Sequence, residues 1–244
     1  MIKLFKRFML DGPYLVFEHK GKNILVISDL HFGYSNYLLN KGIYSLIDES
    51  KKIKEIVSKI NEYNINKIVF NGDIIHDFGS FPWQLKKKII TLIDLCKQNK
   101  TEPMFVLGNH DVQLKYQVEN YLFDRAIVFH DFLTFDDVFI THGDKLYEVP
   151  KETKFLILGH EHPAVVIDDN KFKCYVVATM NPKKNDKKVI IMPSFFDFVE
   201  GTDLEENARI TPYHNLFEND SSKIIIYKVK GKYVTLPLDL DAFL

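Results

Sequence analysis

Asn23-Ile24-Leu25-Val26-Ile27-Ser28-Asp29-Leu30-His31 is an apolar run that ends in two side chains able to bind a metal. Asn23–Ser28 reads as a buried strand, and Lys67–Asn71 (KIVFN) and Pro103–Leu107 (PMFVL) repeat the pattern. Between these runs, Ser45–Tyr63 carries Ile53, Ile56, Val57 and Ile60 at helical spacing. Pro82–Asn99 does the same with Leu85, Ile89, Ile90, Leu92, Ile93 and Leu95, and Pro82 suits a helix start. Strand-helix-strand alternation predicts parallel pairing with right-handed crossovers.

From Ala126 onward, short β runs follow one another: 126–130, 138–141, 155–158, 164–167, 173–179, 189–192 and 223–229. This half predicts a mostly antiparallel or mixed sheet. The sum is an α/β (α+β) chain with two sheets packed face to face and helices outside. The polar, turn-rich stretch 201–220 carries no assignment.

Each strand of the first half runs into a burst of ligand-type residues, and two later strands do the same. The bursts are Asp29-Leu30-His31, Asn71-Gly72-Asp73, Gly108-Asn109-His110-Asp111, Thr141-His142-Gly143-Asp144 and Gly159-His160-Glu161-His162. Ligands of α/β sheets bind at the carboxyl ends of strands, so the bursts can converge on one crevice. In Asp29-x-His31 and His160-x-His162, residues two apart on an extended chain would point to one side. The adjacent glycines let the backbone turn sharply. Imidazole, carboxylate and amide oxygen together suit Mn²⁺, Fe²⁺ or Zn²⁺. Singly, each burst reads as well as a cap or turn; five in this order are hard to place by chance. His19, His130 and His214 lie outside them and read as core or surface histidines.

These residues resemble the ordered motifs of the calcineurin-like metallophosphoesterases: Asp-x-His (Asp29, His31), Gly-Asp (Gly72, Asp73), Gly-Asn-His-Asp (Gly108–Asp111), a histidine (His142) and Gly-His-x-His (Gly159–His162). The resemblance implies a four-layer αββα sandwich of two mixed sheets flanked by helices. It implies two divalent ions, the first on Asp29, His31 and His162 and the second on Asn109, His142 and His160, with Asp73 bridging. Mn²⁺ is the expected ion, with Fe²⁺, Zn²⁺ or Ni²⁺ as other occupants. His110 would be the catalytic histidine, oriented by Asp111. A closer resemblance, in 28–34, 72–78 and 159–163, is to small phosphoesterases (ICC-like) related to the SbcD-type repair nucleases. Those nucleases carry a histidine where His76 stands, so His76 joins the catalytic candidates, with a cap or ligand-supporting role as its other reading. The chain, 1–244, reads as one metallophosphoesterase domain without a separate cap domain.

Two divalent ions would outweigh the charges of Asp29 and Asp73, so the site would attract an anionic phosphate. The chemistry implied is hydrolysis of a phosphodiester by a hydroxide shared between the ions, with His110 protonating the leaving group. The leading expectation is a nuclease on single-stranded or structured nucleic acid. The alternatives are a phosphatase or pyrophosphohydrolase on a nucleotide or other small molecule, and, remotely, a metal-free scaffold. Phe32, Tyr34, Tyr37, Phe78, Phe81 and Trp83 stand near the motifs and can stack bases or simply pack.

Composition agrees with a folded enzyme: apolar residues make up 46% and charged residues 27% of 244. No apolar run is long enough to cross a bilayer, and the basic residues near the start are scattered as no export signal has them. Cys96 and Cys174 are too few for a disulfide framework or thiolate zinc site, and predict reduced thiols in the cytoplasm. With a net charge of −1 there is no global basic field for nucleic acid. Lys86–Lys88 and Lys183, Lys184, Lys187 and Lys188 are local candidates, more simply read as a solvated helix face and turn. Nothing in the sequence names a protein partner.

Overall fold

Three short strands precede the quoted run: β1 (Ile2–Leu4), β2 (Phe8–Asp11) and β3 (Tyr14–His19), joined to one another and to β4 (Lys22–Ser28) as antiparallel neighbours. The structure, a computed structural model, describes residues 1–44, 48–76, 81–121, 127–180, 187–196, 201–203, 211–213, 217–229 and 232–237. After β4 come helices α1 (Tyr34–Asn40) and α2 (Glu49–Glu62), strand β5 (Ile65–Asn71), helix α3 (Trp83–Gln98), strand β6 (Glu102–Val106), helix α4 (Val112–Tyr121) and strand β7 (Phe129–His130). These seven strands form one sheet in sequence order, and β4 to β7 pair in parallel, as the alternation predicts.

The second sheet holds β8 (Phe132–Phe135), β9 (Val138–Thr141), β10 (Phe155–Leu158), β11 (Pro163–Ile167), β12 (Asn170–Met180), β13 (Lys187–Ile191), β14 (Thr202–Asp203), β15 (Phe217–Val229) and β16 (Lys232–Pro237). It is mixed: β10 runs parallel to β9 and β13, while β12 runs antiparallel to β11, β13 and β15. One expectation changes. The run beginning at Ala126 (itself outside the described residues) reads in sequence with the second half, yet its strand β7 pairs with β6 as the edge of the first sheet. A two-residue strand has too little pattern to declare its sheet.

Side-chain alternation explains why the central strands read as unbroken apolar runs. On β4, Leu25 and Ile27 face the helices while Ile24 and Val26 face the other sheet. The second sheet answers with Val138, Ile140, Ile157, Tyr175, Val177 and Ile190, which close the layer between the sheets. Both faces are covered, so no polar alternation survives. Ile53, Ile56 and Ile60 of α2, Leu85, Ile89, Leu92 and Ile93 of α3, and Leu114 of α4 seal the outer face of the first sheet. All four described helices come from the first half of the chain. Among the described residues, the outer face of the second sheet is covered by Tyr147, Val149 and Tyr213 from loops.

Of the lysines singled out earlier, Lys88 pairs with the buried carboxylate of Glu49 at 2.7 Å. Lys187 opens β13, is nearly buried, and donates to the Pro150 carbonyl at 2.6 Å. Neither is a solvated turn or helix-face charge. Lys183 and Lys184 lie outside the described residues. Cys96 and Cys174 are both buried.

Candidate metal centre

The five bursts follow β4, β5, β6, β9 and β10, and they meet at the carboxyl ends of those strands. Their backbones are laced together: Asp29 N–H donates to Gly72 O (3.2 Å), His31 N–H to Asp73 O (2.8 Å), Gly72 N–H to Val106 O (3.0 Å) and Gly159 N–H to His142 O (2.8 Å). The way side chains converge differs from the extended-chain expectation. Asp29, His31, Asp73, His160 and His162 all have φ between 47° and 68°, the left-handed region that costs non-glycine residues energy. Tight left-handed turns, not strand alternation, aim both members of each pair into one crevice. Two glycines make room. A Cβ on Gly72 would overlap the His142 ring, and one on Gly108 would overlap the backbone and carboxylate of Asp73.

The side chains form three donor groups: His31, His76 and His110 make one, and the other two share Asp73. Asp29, His31, Asp73 and His162 bring their ligand atoms within 4.8 Å of one another, and so do Asp73, His142 and His160. His162 Nε2 lies 3.0 Å from Asp29 Oδ1 and 3.3 Å from His31 Nε2. His142 Nε2 lies 3.3 Å from Asp73 Oδ1 and 3.3 Å from Asn109 Oδ1, which brings Asn109 to the second group. His142 Nδ1 faces the Asn71 carbonyl at 3.1 Å, the partner that fixes a ring so its other nitrogen can bind metal. Backbone amides steady the carboxylates: His110 N–H donates to Asp73 at 3.0 Å and His160 N–H to Asp29 at 3.2 Å.

Charge at this site is arranged for a cation. Asp29 and Asp73 are buried, and among the described residues neither meets a lysine or arginine. Burial alone would raise both carboxyls, but the rings of His162 and His142 beside Asp29, and of His142, His31 and His110 beside Asp73, hold both below the usual range. Burial, reinforced by His162, pulls His31 down to about 3, so it is a neutral donor. His142 is opposite. Burial disfavours its proton, yet Asp73 and Asp29 hold it up at about 10. A field that keeps a proton on a fully buried ring is one that a divalent ion can answer. Ionised carboxylates, imidazole nitrogens and an amide oxygen in two groups sharing Asp73 therefore fit a pair of divalent ions.

Around this centre stand the catalytic candidates. His110 Nε2 is 3.8 Å from Asp73 Oδ2, and its ring stacks on His76 at 5.2 Å. Burial is the main cause lowering His110. His76 Nδ1 faces His31 Nδ1 at 3.1 Å. Asp111 differs from expectation. Its carboxylate accepts from Ile74 N–H (2.9 Å), Ile75 N–H (3.2 Å) and Gly108 N–H (2.9 Å), so it clamps the loops bearing Asp73 and Asn109 instead of the His110 ring. Burial, followed by the charge of Asp73, pushes it up to about 7. Three backbone amides from two loops outbid a single ring nitrogen for a buried carboxylate.

Of the aromatics near the motifs, Phe32 is core and Phe81 packs against the core, whereas Trp83 is exposed. Tyr34 and Tyr37 lie 4.6 and 4.9 Å from the His76 ring. Phe78 and His214 are outside the described residues. Sequence reasoning passed over Phe196, 5.4 Å from Tyr34, and Glu49, whose buried carboxylate accepts from Gly33 N–H (3.0 Å) and Ser35 Oγ (3.0 Å). Glu49 had no motif around it. Its position at the start of an amphipathic helix was the only signal.

Comparison with known proteins agrees with the geometry. The family model for calcineurin-like phosphoesterase matches residues 22–225. Among solved structures, a nuclease MPE from Pseudomonas putida aligns at TM-score 0.57 and 16% identity, over 91% of this chain and 100% of that one. A phosphoesterase from E. coli, Yfce, aligns at TM-score 0.42 and 13% identity, over 88% and 98%. No curated protein sequence matches. Among the described residues no helix is long and apolar enough to cross a membrane. With its ordered motifs, paired donor groups and family match, the chain belongs to the calcineurin-like phosphoesterases, a family of dinuclear-metal-dependent hydrolases.

Proposed function

We propose that this protein is a Mn²⁺-dependent phosphodiesterase that cleaves nucleic acid. The observation that carries the reading is Asp73, the one residue common to both donor groups of the main site. A shared carboxylate is what a pair of closely spaced ions requires. Asp29, His31 and His162 would hold the first ion and Asn109, His142 and His160 the second, with Asp73 within reach of either group. When bound, the pair supplies an acidified water and positive charge toward the phosphate.

The chain's own groups do the rest. With His31 Nε2 turned to the first ion, its Nδ1–H donates to His76 Nδ1 at 3.1 Å, so His76 carries its proton on Nε2. That N–H is a donor for a phosphate oxygen. His110, beside Asp73, protonates the departing oxygen. Asp111 keeps the Asp73 and Asn109 loops in register. Motif-level likeness to the SbcD-type nucleases and the shared fold of the Pseudomonas putida nuclease support a diester over a monoester. A count of two cysteines, both buried, suits a reducing, cytoplasmic setting.

The test compares three substrates with Mn²⁺: bis-p-nitrophenyl phosphate, p-nitrophenyl phosphate and a labelled single-stranded oligonucleotide. Turnover of both diesters well above the monoester is expected. Turnover of the monoester alone would make the protein a phosphatase.

A further inference from the structure

Helix α1 follows the Asp29-x-His31 burst, and it is held firmly although none of its residues is fully buried. Tyr37 is 42% exposed. Its entry is nonetheless pinned by the Glu49 carboxylate, which is itself paired to Lys88. Core packing does not explain a helix fixed in this way beside the metal centre. What it presents does. The rings of Tyr34 and Tyr37 lie 5.9 Å apart at an interplanar angle of 30°, and both meet the His76 ring edge-on. One turn on, the Lys41 ammonium lies 5.8 Å from the Tyr37 centroid. A strip therefore runs outward from the metal ligand His31 through His76, 5.0 Å away, to Tyr37, 4.9 Å further, and ends on a cation.

We propose that Tyr37, with Lys41 beside it, is the subsite that stacks the base flanking the cleaved phosphodiester, so that the enzyme selects unpaired nucleic acid. The inference rests on the phosphodiesterase reading above. An exposed ring next to a cation is the unit that proteins use to hold single strands, because every base has a face to stack and every step carries a phosphate. In a duplex those faces are covered by neighbouring bases. The protein's net charge of −1 offers no general field for nucleic acid, so affinity must come from local contacts of this kind.

The test uses the full chain with Mn²⁺ and two single-stranded oligonucleotides, one normal and one with an abasic residue beside the cleavage position. Stacking on one ring contributes about 1–3 kcal/mol by alanine substitution, which is roughly five- to 150-fold. The wild type is therefore expected to prefer the normal strand by about tenfold in kcat/KM. Tyr37→Ala is expected to cut both strands alike, and Tyr37→Phe to keep the preference. Unchanged base-to-abasic discrimination in Tyr37→Ala overturns the subsite, as does duplex cut as fast as single strand. Failure of the underlying reading looks different: the wild type then cuts neither oligonucleotide while turning over a phosphate monoester.

Discussion

Two carboxylate clusters in this molecule satisfy their charges in opposite ways. Asp11, on β2, accepts from Lys59 Nζ at 2.6 Å, Tyr63 OH at 2.7 Å and Tyr233 OH at 3.4 Å, tying β16 and α2 to the first sheet. Its charge is met by a permanent cation of the chain. Asp29 and Asp73 are more deeply buried, and the described residues give them only imidazoles and backbone amides. A cluster that closes its own charge balance serves stability. One that leaves it open to imidazoles, which bind metal only when neutral, is prepared for a cation from outside.

The largest effect should come from removing the shared residue. Asp73→Asn is expected to lose more activity than the roughly 10²–10⁴-fold typical of losing a general acid, and elemental analysis should find fewer than two metals per chain. Two tightly bound metals in that variant would break the comparison. His110→Ala comes next. It should lose about 10²–10⁴ in kcat while elemental analysis still finds both ions, separating proton transfer from metal retention.

Asp111→Asn tests whether the clamp, and not the ring, is what this carboxylate serves. Asparagine has one acceptor oxygen where the carboxylate uses two. Metal affinity is expected to fall about 10–100-fold, read by titration of the metal-free protein, with activity at saturating metal lowered less than in His110→Ala. An equal loss at saturating metal would return Asp111 to orienting His110.

The smallest effect belongs to the closed cluster. Asp11→Asn should cost about 1 kcal/mol, a fall of about 2–4 °C in Tm for a chain of this size, with kcat unchanged. Burial raises the Asp11 carboxyl, but Lys59 and Tyr63 outweigh it and hold it below its unfolded value. Its stabilisation is thus complete above pH 3.8 and disappears as pH falls through the lower folded value, so the variant should show a shallower acid limb in pH-dependent unfolding. Mn²⁺ at about 100 times its Kd adds about 2.7 kcal/mol. That increment should persist in Asp11→Asn and shrink in Asp73→Asn, which is the comparison in one thermal-shift experiment.

Much of this was legible in the chain. The runs at Asn23, Lys67 and Pro103 are buried on both faces, so their apolar character declares them. Helices α2 and α3 carry long apolar stripes and were found within a few residues. The N-terminal hairpins were not seen. The β1–β2 turn places Phe5 and Lys6 at φ 52° and 58°, where a turn signal would be Asn-Gly. Helix α1 has no buried face and so leaves no periodic trace.

By itself the sequence determined which residue types end each strand and in what order, and hence the family and its ion-binding chemistry, because ligand identity is a local property of the chain. Only the tertiary structure decided how those residues meet. Left-handed turns at Asp29, His31, Asp73, His160 and His162 are paid for by the surrounding hydrogen-bond lacing, which no single segment contains. For the same reason the Asp111 clamp, the His31–His76 contact and the Tyr37 strip joined residues distant in sequence, and became visible only once the two sheets were packed.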